Sequence, residues 1–311
     1  MKEISGPFSI YTIDSGIDGP HLLITAGVHG DEYEPMLVAQ ELISQLKDKL
    51  KTGKLTIVPV VNISAYKGAS RYGNDGLDLA RTCPGNADGM ATEIVAYHIT
   101  ELIKKADYYI DMHTGGEVYD IFPLAGYLLH PLPHILEKQR EMAEKFNLPL
   151  IWGTEHTPNG RTLSIARDAN VAAIYVEYGG GSSVSKEIVK AYIRGCLRVL
   201  QYLKMIAVID QVQSHIPFWL EDHTINNGNL QMKMPAPCSG IFVSEATIGE
   251  LISKGDIIGN IIDPLNHQLV QIKAEHDGLV FLLRVSANVK TGDSLGGILP
   301  VTKNKKVIIN G

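Results

Sequence analysis

The stretch that decides the fold occupies residues 20–46 and reads PHLLITAGVHGDEYEPMLVAQELISQL. It begins with an apolar run at residues 22–26, which ends at Gly27. Apolar residues return from Met36 onward at the spacing of a helix. Pro35 suits the first turn of this helix, because the N–H that proline lacks would have no helical partner there. The stretch therefore predicts a strand, a polar loop and a helix, in that order.

The same alternation of strand and helix recurs along the first two thirds of the chain. Short apolar runs predict further strands at residues 55–61, 108–112 and 171–176. Helical periodicity predicts helices at residues 92–104, 136–146 and 185–206. Strands that alternate with helices form a parallel or mixed sheet with helices packed on its faces. We therefore expect an α/β fold, with a mixed central β-sheet flanked by helices.

The sequence pattern changes after residue 210, where Gly, Pro and β-forming residues alternate to the end. Residues 240–259 pair a short apolar run with a Lys-Gly-Asp turn, and residues 278–296 repeat the arrangement with Thr-Gly-Asp. Two such units resemble the halves of biotinyl and lipoyl carrier domains and predict a small β-barrel. We therefore expect two domains, at residues 1–210 and at residues 211–311.

Composition narrows the classes of function. The net charge is −6 and no run of lysine or arginine occurs, which argues against a nucleic acid partner. No apolar stretch reaches the length of a membrane span and the first residues lack the apolar core of a secretion signal, so we expect a cytoplasmic protein. The three isolated cysteines indicate neither a disulfide framework nor a thiolate zinc site. A small polar substrate is expected, and homo-oligomerisation is left open.

Polar side chains follow three of the predicted strands. His29 and Glu32 follow the first, His113 follows residues 108–112, and Glu177 follows residues 171–176. Ligands of open α/β sheets bind beyond the carboxyl ends of the strands, where these residues would meet. Two imidazoles and one carboxylate form a three-ligand zinc set that leaves a fourth position for water. The pattern predicts one Zn²⁺ per chain on His29, Glu32 and His113, with Glu177 free to act on the water.

Each of these residues also has a simpler interpretation. His29 and Glu32 are equally compatible with a surface histidine and a glutamate that interacts with a helix dipole. Glu177 would be stable as one half of a buried salt bridge with Arg161 or Arg167. His113 would be satisfied by the backbone at a strand end. Alternation along the strand places Asp111 on the same face as His113, where a carboxylate would orient a metal-bound imidazole.

Four segments together resemble the succinylglutamate desuccinylase/aspartoacylase family, which is related to the zinc carboxypeptidases. They are Gly-Val-His-Gly-Asp-Glu at 27–32, Asp-Gly-Leu-Asp-Leu-Ala-Arg-Thr-Cys-Pro-Gly at 75–85, Asp-Met-His-Thr at 111–114 and Val-Glu-Tyr-Gly-Gly at 176–180. The resemblance spans residues 20–210. It implies a zinc carboxypeptidase-like fold and identifies residues 1–210 as a zinc hydrolase catalytic domain.

The resemblance also implies residue roles. His29, Glu32 and His113 take the zinc positions, and Glu177 takes the position of the glutamate that activates water. Arg71 resembles the catalytic arginine that faces the reacting carbonyl, and Arg81 resembles the arginine that binds a substrate carboxylate. Ala80 departs from the family, which usually has asparagine there, and so removes a hydrogen bond expected to help hold that carboxylate.

These observations predict a zinc-dependent hydrolase that cleaves the amide bond of a small N-acylated amine or amino acid. Two other functions stay open. A metallocarboxypeptidase would trim peptides, although a C-terminal barrel over the pocket would restrict entry to small molecules. A noncatalytic zinc-containing binding protein would keep the pocket but lack the chemistry, with Ala80 as the first sign of that loss.

Overall fold

Seventeen strands account for most of the regular structure in the computed structural model, which describes residues 2–181, 183–208 and 215–310. In chain order they are β1 (Lys2–Ser5), β2 (Phe8–Asp14), β3 (His21–Thr25), β4 (Lys54–Val58), β5 (Tyr108–His113), β6 (Tyr119–Leu128), β7 (Leu150–Thr154), β8 (Ala172–Gly180), β9 (Phe218–Asp222), β10 (Gly240–Ser244), β11 (Leu251–Ile252), β12 (Ile257–Asp263), β13 (Gln268–Lys273), β14 (Gly278–Arg284), β15 (Asn288–Val289), β16 (Gly296–Leu299) and β17 (Lys305–Ile309). The predicted domain boundary between residues 210 and 211 lies outside the described residues.

The α-helices of the described chain all lie in its first 202 residues. They are α1 (Tyr33–Leu46), α2 (Ile63–Lys67), α3 (Ala91–Ile103), α4 (Pro133–Phe146), α5 (Thr162–Asp168) and α6 (Lys186–Tyr202). The strand, loop and helix predicted for residues 20–46 are therefore present as β3, a loop and α1. None of the described helices is long and apolar enough to cross a bilayer.

The large sheet is mixed, which confirms the predicted fold class. Its main path runs β1-β2-β4-β3-β5-β8-β6-β7-β9-β17. Strands β4, β3, β5 and β8 are parallel neighbours, β6 is antiparallel to β8, and β7 is parallel to β6. Strands β9 and β17 extend the far edge, although they come from the C-terminal third of the chain.

Helices cover both faces of this sheet because successive strand residues point to opposite sides. In β3, Leu22 and Ile24 pack with helices α1, α4 and α6, whereas Leu23 packs on the opposite face with α3 and α5. All three side chains are fully buried. Burying a leucine or isoleucine side chain contributes about 1.5–3 kcal/mol, so the central strands anchor both layers.

The C-terminal repeat forms antiparallel sheet. Strands β10, β12, β13 and β15 make a separate four-stranded sheet, whereas β14 pairs with β6 of the large sheet and also with β11 and β16. Each half of the repeat thus contributes strands to both sheets, because β11 of the first half pairs with β14 and β15 of the second half pairs with β10. The predicted β-rich C-terminal region is confirmed as antiparallel sheet, and its closure into a barrel stays a prediction.

Candidate active site

Neighbouring strands bring the predicted site residues to one edge of the large sheet. Strand β3 ends at Thr25, and the loop that follows carries His29 and reaches Glu32, the residue before α1. In the parallel pair β5 and β8, His113 lies directly opposite Glu177. The carboxyl ends of these strands therefore gather the two histidines and the two glutamates, as the sequence predicted.

His29, Glu32 and His113 form a cluster that could hold a metal ion. Glu32 lies between the imidazoles, with Oε1 at 2.6 Å from His29 Nδ1 and Oε2 at 2.9 Å from His113 Nδ1. One ligand atom from each residue lies within 4.8 Å of the other two. The three residues are only 4%, 3% and 8% exposed. Two imidazole nitrogens and one carboxylate oxygen that face one another in a buried site suit a divalent cation.

The outer nitrogen of each imidazole faces an aspartate. His29 Nε2 lies 3.3 Å from Asp78 Oδ1, and His113 Nε2 lies 3.1 Å from Asp111 Oδ2. The buried Asp111 carboxylate is itself fixed by the hydroxyl groups of Thr25 and Thr162, which donate to it at 2.6 and 2.5 Å. A carboxylate that accepts from one imidazole nitrogen leaves the other nitrogen free as a metal ligand. The donor set therefore fits a metal on the Nδ1 side of both rings.

The charges of this cluster compensate one another. Burial disfavours the ionised form of Glu32, but the two imidazoles outweigh burial and hold the pKa of Glu32 well below its ordinary value. The same balance operates at His113, where burial lowers the pKa but Asp111 and Glu32 raise it overall. Glu32 is therefore ionised and ready to act as an anionic ligand.

Glu177 has a different environment from Glu32. Its Oε2 atom is buried and has no hydrogen-bond partner among the described residues. Burial raises the pKa of Glu177, His113 opposes the shift, and the Glu32 carboxylate adds to it. Within the described chain Glu177 forms no ion pair with Arg161 or Arg167, so the simpler interpretation of a buried salt bridge with either arginine is wrong. A carboxylate with raised proton affinity beside a metal cluster suits proton transfer.

Arginines form the pocket wall around this centre. Arg71 Nε donates to Asp78 Oδ2 at 3.0 Å, so one carboxylate contacts both Arg71 and His29. Burial alone would lower the pKa of Arg71, but Asp78 and Glu32 raise it overall. Arg81 Nη2 donates to Gln231 Oε1 at 3.0 Å, and Arg81 Nη1 donates to the Ala80 carbonyl at 2.7 Å.

The six residues with predicted metal, catalytic or substrate-binding roles all line one open pocket of about 840 Å³, its mouth included. They are His29, Glu32, Arg71, Arg81, His113 and Glu177. The same pocket is also lined by residues for which the sequence predicted no place in the pocket, among them Arg161, Gly228, Leu230 and Gln231. Asp78, which orients both His29 and Arg71, was also missed as an individual residue. Its place in the segment at 75–85 was a signal, but nothing in the sequence connects it with His29, which lies 49 residues earlier.

A mixed α/β sheet that carries a His/Glu/His cluster and a buried glutamate at its strand ends defines a candidate metallohydrolase. Residues 18–203 match the family model described as "Succinylglutamate desuccinylase/Aspartoacylase catalytic domain". The chain therefore belongs to the succinylglutamate desuccinylase/aspartoacylase family, which confirms the resemblance seen in the sequence.

Individual relatives agree with this assignment. N-alpha-acetyl-L-2,4-diaminobutyric acid deacetylase of Halomonas elongata is 28% identical over 294 residues, which cover 92% of this chain and 84% of the relative. A succinylglutamate desuccinylase from Silicibacter sp. TM1040 shares the fold with a TM-score of 0.86 at 23% identity, over 96% of this chain and 89% of that one. The product-bound ectoine utilization protein EutE from Ruegeria pomeroyi has a TM-score of 0.85 at 24% identity, over 94% of this chain and 88% of that one.

Proposed function

We propose that this protein is a zinc-dependent deacylase that hydrolyses the amide bond of a small N-acyl amino acid. The observation that carries the proposal is the position of Glu177, directly opposite His113 in the β5–β8 register, with a buried carboxyl oxygen that lacks a partner among the described residues. Membership of the family and the deacetylase from Halomonas elongata support the reaction class.

The residues have separable roles in this reaction. His29, Glu32 and His113 would hold the zinc ion, which when bound supplies Lewis acidity toward water and toward the amide carbonyl. Glu177 accepts a proton from the attacking water and returns it to the departing amine. Its raised pKa favours the first of these two transfers, because a stronger base takes the proton from water more readily. Asp78 and Asp111 keep the two imidazoles in the ligating orientation.

Arg71 and Arg81 act on the substrate. The guanidinium of Arg71 is held at Nε by Asp78, which leaves its Nη groups to stabilise the oxyanion that forms on the carbonyl oxygen. Arg81 lines the same pocket and is itself exposed, so it lies at the outer end, where it binds the carboxylate of the amino acid. The acyl group then lies toward the metal cluster and the amino acid lies toward the mouth.

The pocket wall favours a small substrate over a peptide. Gly228, Leu230 and Gln231 come from the C-terminal third of the chain and line the same pocket as His29 and Glu177. A carboxypeptidase needs an open groove for the chain that precedes the scissile bond, whereas here residues of the C-terminal third form part of the pocket wall. We therefore place N-acyl amino acids ahead of peptides as substrates.

The test compares Glu177→Gln with the wild-type protein after both are loaded with zinc. General acid–base catalysis is worth about 10²–10⁴ in rate, so we expect turnover of N-acetyl amino acids to fall by that factor. Bound zinc, measured by atomic absorption, should stay at one ion per chain because Glu177 is not a ligand. Glu187→Gln is the matched control, since it neutralises an exposed carboxylate on α6.

Three outcomes would separate the candidate functions. Wild-type turnover by the Glu177→Gln variant would show that Glu177 is not the base. Faster cleavage of C-terminal peptide bonds than of N-acetyl or N-succinyl amino acids would favour the carboxypeptidase. Stoichiometric zinc without hydrolysis of any of these amides would favour the noncatalytic binding protein.

A further inference from the structure

The turn between β5 and β6 carries one of the predicted metal ligands and part of the pocket wall. It runs from His113, the last residue of β5, to Glu117, and we call these five residues the ligand turn. Thr114 and Gly115 line the pocket beside His113. The position of this backbone therefore determines where the imidazole of His113 lies within the metal cluster.

Two adjacent acids before α1 hold the ligand turn from one side. The Glu32 carboxylate accepts from the Thr114 N–H at 3.3 Å, and the Asp31 carboxylate accepts from the Glu117 N–H at 3.1 Å. Asp31 also packs against Gly116, where a Cβ atom would lie 2.3 Å from Asp31 Oδ2. The φ of Gly116 is +56°, so glycine is needed here for its conformation as well as for space. The Asp31 carboxylate is therefore fitted closely to the ligand turn.

Asp31 differs from the other acids of the centre in how it is used. It is neither in the metal cluster nor among the described residues that line the pocket. The side chain is only 8% exposed, and its Oδ1 atom is buried without a hydrogen-bond partner in the described part of the chain. Burying an unpaired polar atom is unfavourable for folding. A role in the site therefore explains this carboxylate better than a role in stability does.

A tyrosine of α6 holds the other end of the ligand turn. Tyr192 is fully buried, and its hydroxyl donates to the His113 carbonyl at 2.7 Å. The ring packs edge-on against Phe146 of α4, with the ring centroids 5.9 Å apart. Burial and the charges of Glu177 and Glu32 raise the pKa of Tyr192 well above its ordinary value, so the hydroxyl keeps its proton and stays a donor. Helix α6 thus fixes the backbone of a metal ligand.

The ligand turn is also hydrogen-bonded to the segment that follows Glu177. The Gly115 N–H donates to the Gly179 carbonyl at 2.8 Å, and the Gly181 N–H donates to the Gly116 carbonyl at 2.7 Å. The two backbones approach so closely that a Cβ atom at Gly115 would lie 2.8 Å from the Gly179 carbonyl oxygen. Glu177 belongs to the same strand as Gly179 and lies directly opposite the metal ligand that ends β5. A shift of the ligand turn would therefore change the geometry between the metal cluster and Glu177.

We propose that Asp31 and Tyr192 are positioning residues that fix the ligand turn at its two ends and so set the distance between the metal cluster and Glu177. Asp31 acts through the Glu117 N–H, and Tyr192 acts through the His113 carbonyl. Neither lines the pocket in the described part of the chain. A displacement of about 1 Å at a reacting group can cost about a hundredfold in rate, so small shifts of this turn matter. This role rests on the proposed deacylase function.

Two variants of Asp31 separate its hydrogen bond from its charge. Asp31→Asn keeps an oxygen that can accept from the Glu117 N–H, whereas Asp31→Ala removes it. We expect kcat of the zinc-loaded protein on N-acetyl amino acids to fall about tenfold to hundredfold in Asp31→Ala, with little change in KM, and most of this loss to be absent in Asp31→Asn. Asp48→Ala, an exposed change just beyond α1, is the control. A wild-type kcat in Asp31→Ala, or an equal loss in both variants, would overturn the role of Asp31.

The other end of the turn is tested by Tyr192→Phe, which removes the hydroxyl but keeps the ring that packs against Phe146. We expect kcat to fall about tenfold with little change in KM, while bound zinc stays at one ion per chain. Tyr97→Phe, at an exposed position on α3, is the matched control. A merely structural role would reduce the folded fraction and leave kcat per folded molecule unchanged. That result, or a KM that rises in place of the fall in kcat, would contradict the proposal.

Failure of the positioning role and failure of the deacylase can be told apart by hydrogen exchange. If the wild-type protein hydrolyses no N-acyl amino acid, exchange of the backbone amides of residues 113–118 is measured by mass spectrometry. Amide exchange there should be about fivefold to tenfold faster in Asp31→Ala and in Tyr192→Phe than in the wild-type protein and in Asp31→Asn, because one hydrogen bond of the turn is lost. This pattern would support the held turn without the reaction. Equal exchange in all four proteins would overturn the positioning role independently of catalysis.

Discussion

The inner end of the pocket, at the metal cluster, and the outer end, at Arg81 and Arg161, differ in how their charges are compensated. At the inner end, where the metal cluster lies, both imidazoles lie between carboxylates, with Glu32 on one side and Asp78 or Asp111 on the other. At the outer end, Arg81 and Arg161 donate hydrogen bonds to the neutral side-chain oxygens of Gln231 and Asn229. The charges of the inner end thus compensate one another, whereas the arginines of the outer end have neutral hydrogen-bond partners. We propose that the inner end carries out the chemistry and that the outer end binds the substrate.

The largest effect is expected from a variant that disturbs the inner end without removing a metal ligand. Asp111→Asn keeps the shape of the buried side chain but removes the charge that orients His113. Partners of metal-bound histidines typically contribute about 10–100-fold to metal affinity or activity. We expect the zinc dissociation constant to rise by that factor, as measured by competition with a chromophoric chelator.

The control for this change is Asp107→Asn, an exposed carboxylate just before the other end of β5. It should leave zinc affinity unchanged. If Asp111→Asn bound zinc as tightly as the wild-type protein, the orienting role of Asp111 would be wrong, and the inner end would not depend on its outer carboxylates.

A smaller effect, on KM, is expected from a change in β9, the strand that precedes the outer end of the pocket. Glu221 in β9 is buried and accepts hydrogen bonds from Tyr127 and Arg140 at 2.6 and 2.7 Å, with Lys306 at 3.1 Å. Burial would raise the pKa of Glu221, but Arg140, Tyr127 and Lys306 lower it to about 2. Because residues 226–232 follow β9 closely, loosening this network should raise KM and leave zinc content unchanged.

The sign of the pH dependence follows from the lowered pKa. The ionised Glu221 stabilises the folded state fully above its ordinary pKa of 4.5, and this contribution is lost as the pH falls from 4.5 toward 2. At pH 6, Glu221→Gln should reduce the free energy of unfolding by about 1–3 kcal/mol, and the deficit should shrink toward pH 2. Urea denaturation at several pH values measures the loss of stability and its dependence on pH.

Glu137→Gln is the matched control, because Glu137 contacts the same arginine from an exposed position. An exposed pair of this kind is worth at most about 1 kcal/mol. Two results would show that ionised Glu221 does not stabilise the fold. One is an equal loss of stability in the two variants, and the other is a deficit of Glu221→Gln that grows toward acid pH.

The sequence predicted the inner end of the pocket better than it predicted the outer end. The inner end could be predicted, because apolar runs mark the strands and parallel strands bring their carboxyl ends to one edge. That rule placed His29, Glu32, His113 and Glu177 together before any contact was known. The contact of Asp78 with His29 could not be predicted from spacing, since it depends on how the 68–85 segment folds back over the site.

The central antiparallel strand was also missed, for a local reason. Strand β6 contains Pro123 and Gly126, which both resemble turn signals. The structure places Pro123 at an irregularity of the register between Ile121 and Leu124, where a ladder hydrogen bond is not required. At Gly126 a Cβ atom would lie 2.1 Å from the Tyr175 ring, so glycine makes room for a side chain. Pro123 and Gly126 therefore allow β6 to pack against its neighbours and do not mark a turn.

The outer end was beyond prediction because its parts are remote in the chain. Gln231 contacts Arg81 across 150 residues, and Asn229 contacts Arg161 across 68. Neither segment has a periodic pattern that would reveal the pairing. The predicted role of Arg81 in binding a carboxylate came from resemblance alone, and its setting beside Arg161 became visible only in three dimensions.

Anomalous diffraction at the zinc edge, from crystals of the zinc-loaded protein, tests the proposed metal site and the proposed base together. We expect one strong peak per chain, bonded to Nδ1 of His29, Nδ1 of His113 and a carboxylate oxygen of Glu32, with the Glu177 carboxylate beside it and unbonded. A peak on other residues, or a zinc ion that takes Glu177 as a ligand, would contradict the assignment of metal site and base.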